Sequence, residues 1–152
     1  MSIMKGKRGL IMGVANERSI AWGIAKTFAD NGAELAFSFQ NESFNKRLTP
    51  LMVSIKSDKA FECDVSKPSS HLNSIENMFK NISKIWDDID FVVHALAYSD
   101  KEELKGKYVN CSRENFLNSL DISAFSFTRI AKSTLPLMSA KGGSLLTLSY
   151  LG

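Results

Sequence analysis

Short runs of β-forming residues alternate with longer stretches of helical periodicity along the whole chain. This alternation is typical of repeated strand–helix–strand units, in which parallel strands form one sheet with helices on its faces. The first run, RGLIM, is apolar enough for a central strand that is buried on both faces. The predicted strands are residues 8–12, 34–40, 59–63, 89–95 and 145–149.

The segments between these strands predict helices at residues 20–30, about 41–55, from 66–68 onward, and about 113–135. Ser19 is placed to cap the first helix. Pro50 falls inside the second, where a proline costs ~3 kcal/mol, so we expect a kink or a restart there. The third has an apolar face at helical spacing. That face consists of Leu72, Ile75, Met78, Phe79, Ile82, Ile85 and Trp86.

Right-handed crossovers through these helices would order the strands 3-2-1-4-5. The predicted fold is therefore an α/β, Rossmann-like, doubly wound parallel sheet. In such sheets, ligands bind at the carboxyl ends of the strands, near the switch between the first and fourth strands. The candidate site residues are those that follow each strand, at positions 13–20, 40, 64–65, 95–99 and 149–150.

Composition predicts a single domain over residues 1–152, with 44% hydrophobic and 23% charged residues. The 19 basic and 16 acidic residues are interspersed, so the net charge of +3 forms no basic stripe for nucleic acid. No segment has the ~18 consecutive apolar residues of a membrane span, and the start of the chain does not resemble a signal peptide. We expect a cytoplasmic protein with no nucleic-acid or membrane partner.

The two cysteines and two histidines predict no metal site. Cys63 and Cys111 lie far apart without a CxxC pattern, as expected for small buried hydrophobic residues in a reducing compartment. His94 lies inside an apolar strand and is predicted to be a hydrogen-bonded core residue, whereas His71 is predicted to lie on the surface.

The segment GVANERSIAWG joins the first strand to the first helix. There a dinucleotide diphosphate would meet unpaired backbone N–H groups and the positive end of the helix dipole. Gly13 lets the backbone turn close to a phosphate, and Ser19 either caps the helix or reaches a phosphate oxygen. Ala21 and Gly23 are predicted to let the helix pack tightly on the sheet. The segment is not GxGxxG, because residue 15 is alanine, so the loop alone is not specific.

The full pattern G-x5-S-I-A-x-G resembles the phosphate loop of the bacterial enoyl-acyl-carrier-protein reductases, a divergent branch of the short-chain dehydrogenases. The resemblance continues, in order, through NGAELAFSFQNE, CDVS, IDFVVHALAYS, KGKYVN, DISAFSFTRIAK and GGSLLTLSYLG. It implies a set of contacts to the diphosphate, the adenine and the nicotinamide-side ribose. Gly13, Ser19 and Ile20 match the contacts to the diphosphate. Asp64 and Val65 match the adenine site, and Leu96 matches the position beside the nicotinamide-side ribose. For Asp64, a turn or helix cap is the alternative.

The resemblance also implies two residues on the substrate side. Ser99 falls near the family's acyl-substrate pocket, and Tyr150 matches the first of its two active-site tyrosines. An aromatic residue packed on the core is the alternative for Tyr150.

Gln40, beside Glu42, offers no cation for a 2′-phosphate, so NADH is preferred over NADPH as the cofactor. Lys46 and Arg47 would reach back only with a favourable helix orientation.

The implied reaction is the NADH-dependent reduction of the trans-2 double bond of an enoyl-acyl-carrier-protein thioester, in a cytoplasmic homotetramer. The family's second tyrosine, the lysine six residues after it and the last two strands are expected beyond residue 152. We therefore expect these 152 residues to be a C-terminally incomplete domain that is inactive alone, with the fifth strand as a bare edge.

Two alternatives remain. Another short-chain dehydrogenase, such as a ketoacyl reductase, would share the fold and cofactor. Such enzymes usually carry TGxxxGIG and NNAG-like segments, where this chain has GVANERSIAWG and HALAY. The second alternative is a non-catalytic, nucleotide-sensing module.

Overall fold

The structure is a computed structural model that describes residues 2–150. Five parallel strands form one sheet in the order β3-β2-β1-β4-β5, which confirms the predicted topology. The strands are β1 (Arg8–Met12), β2 (Glu34–Phe39), β3 (Lys59–Glu62), β4 (Phe91–His94) and β5 (Ser144–Thr147). Every strand pair is parallel, so the carboxyl ends of the strands meet at one edge.

Helices connect these strands. They are α1 (Ile20–Asp30), α2 (Glu42–Ser54), α3 (Ile75–Ile82), α4 (Arg113–Leu120) and α5 (Ser126–Thr134). A π-helical turn, Asp121–Phe125, joins α4 to α5, and short 3-10 helices lie at Tyr108–Asn110 and Leu135–Leu137. Within residues 2–150, none of the helices has the length and apolar character needed to cross a membrane.

Apolar residues on alternate positions of the central strands form a core on each face of the sheet. On one face, Leu10 and Met12 of β1 pack with Ile75 and Met78 of α3. On the other face, Ile11 of β1 packs with residues of α1 and α2. Leu10, Ile11 and Met12 are fully buried, which confirms the prediction of a central strand covered on both faces.

Two helix predictions were wrong in detail. Of the kink or restart expected at Pro50, the restart is wrong, because α2 continues as one helix from Glu42 to Ser54. The third helix begins at Ile75 rather than near residue 66, and the Ser74 hydroxyl caps it by accepting from the N–H of Asn77. Leu72 therefore lies before the helix, 92% exposed, instead of on its apolar face.

The long helix predicted over 113–135 is divided by the π-helical turn at Asp121–Phe125. A π turn inserts one extra residue and shifts the phase of the helix that follows. This shift has no signature in the hydrophobic pattern. The π-helical turn separates α4 from α5. Ile130 of α5 is fully buried against the sheet.

His94 is a core residue, as predicted. Its ring is fully buried between Thr147 of β5 and Ser126 of α5, with 2.8 Å from Nδ1 to Thr147 Oγ1 and 2.8 Å from Nε2 to Ser126 Oγ. Burial lowers the pKa of His94. His71 is exposed and Cys63 is buried, both as predicted, but Cys111 is only partly buried.

Candidate functional site

A cleft of about 340 Å³ lies at the carboxyl ends of β1, β2, β3 and β4. This is the switch point at which doubly wound sheets bind ligands. Five of the predicted cofactor residues line the cleft, namely Gly13, Gln40, Asp64, Val65 and Leu96. The topology has therefore brought together residues that are far apart in the sequence.

Gly13 ends β1 with a backbone conformation that other residues rarely adopt, at φ +99°. A Cβ atom built on Gly13 would also overlap the carbonyl oxygen of Ala95, the residue after β4. Glycine is required at this position for two reasons, the positive φ and the close approach of the two strand ends. The missing side chain therefore lets the end of β1 approach the Ala95 backbone closely.

Ser19 occupies the N-cap position of α1, as predicted, but its side chain makes no capping hydrogen bond to the helix. Its Oγ instead accepts from the backbone N–H groups of Ala15, at 3.0 Å, and Asn16, at 3.1 Å. Both lone pairs of the hydroxyl are thus occupied, and its O–H is left to donate. The N–H groups of Ile20 and Ala21 have no acceptor within residues 2–150. These three donors are grouped at the positive end of α1, the arrangement that binds anions at helix starts.

The close packing predicted for the start of α1 is half right. Ala21 is buried against the sheet with 1% of its surface exposed. Gly23 faces solvent, and a Cβ atom added to it would meet nothing within 4 Å. Gly23 therefore does not control how closely the helix approaches the sheet.

Asp64 follows β3 and makes a turn as well as lining the cleft. Its Oδ1 accepts from the N–H of Ser66 at 3.0 Å and from the Ser66 hydroxyl at 2.6 Å, which is the turn anticipated as the alternative. Its Oδ2 has no hydrogen-bond partner in the described part of the chain. The two interpretations are compatible, because one carboxylate oxygen serves the turn and the other faces no protein partner.

The charges around the cleft are few. Among residues 2–150, Asp64 is the single charged residue that lines the cleft, and no lysine or arginine lines it. Arg47 of α2 does not line the cleft, but its guanidinium lies 4.6 Å from the centroid of the Phe44 ring, which does. Cys63 also lines the cleft, where burial raises the pKa of its thiol to about 12, so it stays protonated near neutral pH and is no nucleophile.

The loop after β4 is fixed by hydrogen bonds from the helices. The N–H of Tyr98 donates to Ser123 Oγ at 2.9 Å, and the same hydroxyl donates to the Tyr98 carbonyl at 3.2 Å. Ser123 belongs to the π-helical turn, so this turn holds the cleft wall formed by residues 95–98.

The two residues predicted for the substrate side lie outside the lining of the cleft. The hydroxyl of Ser99 accepts from Asn115 Nδ2 at 3.1 Å. Tyr150, two residues after Leu148, is 96% exposed, so it does not pack on the core among the described residues. Their catalytic or binding roles remain predictions.

Ser38, Phe44 and Ile122 line the cleft but were not predicted. Phe44 lies in the first turn of α2, which begins two residues after Gln40, so its nearness in sequence to a predicted site residue was the available signal. Ile122 comes from the π-helical turn, more than 20 residues after β4, and only tertiary packing places it there.

A parallel sheet ordered 3-2-1-4-5, with its cleft at the switch point, defines a Rossmann-type α/β domain. Within that class the comparison with known proteins is specific. The family model described as "Enoyl-(Acyl carrier protein) reductase" matches residues 13–152. The chain belongs to this family, as its resemblance indicated.

Individual relatives agree with this assignment. The chain is 51% identical to "Enoyl-[acyl-carrier-protein] reductase [NADH] 2" of Rhizobium meliloti, over 99% of this chain and 54% of the relative. The crystal structure of FabI from Candidatus Liberibacter asiaticus matches with a TM-score of 0.94 at 51% identity, covering 100% of this chain and 57% of that one. The Anaplasma phagocytophilum reductase in complex with NAD matches with a TM-score of 0.89 at 52% identity, covering 97% and 54%. The chain thus spans about half the length of these relatives.

Proposed function

We propose that this chain supplies the cofactor site of an NADH-dependent enoyl-acyl-carrier-protein reductase. The observation that carries the proposal is the cleft lined by Gly13, together with the start of α1 that follows it in the chain, where the Ser19 hydroxyl and the N–H groups of Ile20 and Ala21 have no acceptor among residues 2–150. A diphosphate is the part of a dinucleotide that such donors bind.

The residues predicted to bind the cofactor then have separate proposed roles. Gly13, Ser19 and Ile20 hold the diphosphate, while Asp64 and Val65 hold the adenine. Leu96, at the end of β4, flanks the nicotinamide-side ribose. When bound, the cofactor supplies a hydride for the double bond of an enoyl thioester. Support for this assignment comes from family membership and from the joint location of Gly13, Asp64, Val65 and Leu96 in the lining of one cleft.

NADH is the proposed form of the cofactor, because the cleft lining contains no cation and one carboxylate. A 2′-phosphate beside Gln40 would find no positive partner in that lining, and Asp64 would repel it where the two approach. Arg47 is engaged with Phe44 and with the Ser43 carbonyl, at 3.3 Å from its Nε. It would have to leave both contacts to reach the cleft.

The substrate side of the reaction is assigned by family resemblance. We propose that Tyr150 and Ser99 lie near the thioester in a protein that also contains the half of the family sequence not matched here. Residues 1–152 alone are proposed to lack the reduction activity. The acyl carrier protein as partner, the homotetramer and the cytoplasmic location are part of the same proposal.

The test is an assay of the protein expressed from its complete reading frame. NADH consumption is followed with a crotonyl thioester and, in parallel, with an acetoacetyl thioester. We expect NADH to be consumed with the crotonyl thioester and not with the acetoacetyl thioester. Consumption with the acetoacetyl thioester instead would assign the protein to the carbonyl-reducing branch of short-chain dehydrogenases, and NADPH as the better donor would contradict the cofactor assignment.

A non-catalytic, nucleotide-sensing module is the second candidate. It is favoured by one observation, that neither Ser99 nor Tyr150 lines the cleft. Tight NADH binding by the complete protein, without turnover of either thioester, would support this module over the reductase.

A further inference from the structure

One arginine joins three separate elements next to the cleft. Arg129 lies in α5, and its Nη1 donates to the carbonyl oxygen of Val65 at 2.9 Å. Its Nη2 donates to the carbonyl oxygen of Lys67 at 3.0 Å and lies 3.1 Å from both carboxylate oxygens of Glu76. The guanidinium therefore connects α5, the loop after β3 and the first turn of α3.

The environment makes these contacts stronger than those of a surface ion pair. The side chain of Arg129 is only 20% exposed, so its charge-assisted hydrogen bonds are partly shielded from water. Glu76 lies in the first turn of α3, where the helix dipole favours a carboxylate. Burial raises the pKa of Glu76, but its own backbone N–H and Arg129 more than offset this and leave the pKa below its usual value. Glu76 is therefore ionised near neutral pH and fixes the guanidinium.

The backbone that Arg129 holds is a wall of the cleft. Val65 lines the cleft and is 7% exposed, directly after Asp64. Among residues 2–150, Arg129 is the sole hydrogen-bond donor to the carbonyl oxygens of Val65 and Lys67. The path of this segment on its α5 side thus depends on one side chain.

We propose that Arg129 is a positioning residue for the adenine side of the cofactor cleft, acting through the backbone carbonyls of Val65 and Lys67. The inference rests on the proposed function, since it needs a nucleotide in the cleft. Arg129 itself does not line the cleft. Its effect is to keep the segment from Asp64 to Lys67 in a binding-competent shape, which avoids an ordering cost when the nucleotide binds.

The test measures ADP-ribose affinity by calorimetry, well below the melting temperature of each variant of the complete protein. Arg129→Ala is expected to raise the Kd at least about fivefold, as for the loss of one charged hydrogen bond. Arg113→Ala is the matched control, because Arg113 is an exposed helical arginine with no ion pair in the described part of the chain. It should leave the Kd unchanged.

Arg129→Lys keeps the charge and most of the packing, and it tests the role if the alanine variant fails to fold. A single ammonium cannot reproduce the planar fork that spans two carbonyls and a carboxylate, so the Kd should still rise. Glu76→Gln should raise the Kd for ADP-ribose less than the Arg129 variants do. Arg129→Ala combined with Asp64→Ala should lose less affinity than the sum of the single losses, because both act on one segment.

The outcomes separate the two proposals. If wild type binds ADP-ribose and the Arg129 variants bind it equally well, with only their melting temperatures lowered, Arg129 merely fastens α3 to α5 and the positioning role is wrong. Additive losses with Asp64→Ala would also overturn it. If wild type binds no ADP-ribose, the proposed function fails first, and the positioning role fails with it.

Discussion

Strands β1 and β5 have similar apolar sequences but very different surroundings. The Leu10, Ile11 and Met12 side chains of β1 are fully buried, since β1 lies between two strands and under helices on both faces. In β5, Leu145 packs against the α3 and α5 face, whereas Leu146 on the opposite face is 44% exposed. Along one side, β5 has no strand neighbour within residues 2–150.

This difference divides the candidate site. The residues proposed to hold the diphosphate follow β1, which is packed on both faces, and Asp64 and Val65 follow β3, whose Phe61 and Ala60 are partly buried against the cores on the two faces. Tyr150, proposed for the substrate side, follows the strand that is packed on one face. A cleft of about 660 Å³, lined by Phe28, Phe91 and Leu146, lies on the uncovered face. We therefore expect the cofactor half of the site to be the more rigid half.

The largest effect expected from this comparison is at Phe37 in β2, which is fully buried in the core under α1 and α2. Phe37→Ala should destabilise the protein by ~3–5 kcal/mol through lost burial and a cavity. The exposed Phe125, 54% accessible, provides the control, and Phe125→Ala should cost less than ~1 kcal/mol. Urea unfolding measures both. Equal losses would show that the burial described for β2 is wrong.

A smaller loss is expected at the turn that ends β1. Gly13→Ala should cost ~1–3 kcal/mol, because alanine is strained at φ +99° and its Cβ would overlap the Ala95 carbonyl. It should also weaken NADH binding. Gly23→Ala is the matched control, in open space within α1, and should be neutral or stabilising by up to ~1 kcal/mol. The opposite order in a thermal melt would contradict the proposed reason for glycine at position 13.

The next effect is a pH dependence of the stability of the fold, which we expect from His94, the residue of β4 that is hydrogen-bonded to Thr147 of β5. Burial lowers the pKa of His94 below its ordinary value of 6.5, so the unfolded chain binds the proton more readily. Stability should be fully present above about pH 6.5 and should fall as the pH drops, by at most ~1.4 kcal/mol per pH unit. His94→Gln should abolish this slope between about pH 5 and 7, whereas His71→Gln should not.

The carboxylates of Glu34 and Asp90 are not expected to contribute to the change in stability between about pH 5 and 7. Burial raises the pKa values of Glu34 and Asp90, but their hydrogen bonds and ion pairs outweigh it, so both pKa values lie below the ordinary 4.5 and 3.8. Their contributions are lost only at lower pH. A wild-type stability that stays flat from about pH 7 to 5 would mean that His94 is not buried as a neutral ring.

The smallest effect is expected on the uncovered face of β5. Leu146→Ala should cost less than ~1 kcal/mol, since this side chain is 44% exposed. The same change at Leu10, which is fully buried, should cost ~2–5 kcal/mol. A loss at Leu146 as large as that at Leu10, and dependent on protein concentration, would show that association covers this face in solution.

The sheet was predictable because its information is local. Most of the strands are short apolar runs, and right-handed crossovers between them agree with the order 3-2-1-4-5. The start of α3 was not predictable, since Ser66, Lys67 and Pro68 resemble a helix start. In the structure, the Ser66 N–H donates to Asp64 in a turn, and the helix begins only after its N-cap residue, Ser74.

The site was predictable where a residue lies within two positions of the end of a strand, as do Gly13, Gln40, Asp64 and Leu96. Residues that reach the cleft through tertiary packing carry no such signal. Ile122 depends on a π-helical turn, and Arg129 acts on the cleft through another segment's backbone. A sequence pattern also cannot tell that Ser19 turns its hydroxyl to the preceding loop rather than to its own helix.

The central claim is that a dinucleotide binds at the carboxyl edge of the sheet, beside Gly13. An NMR titration of the isotopically labelled complete protein with NADH tests it directly, through the backbone amide signals. We predict saturable shifts at Gly13, Ile20, Asp64 and Leu96, with little change at Lys59, at the opposite end of β3. Shifts confined to other regions of the sheet, or no saturable shift at all, would contradict the claim.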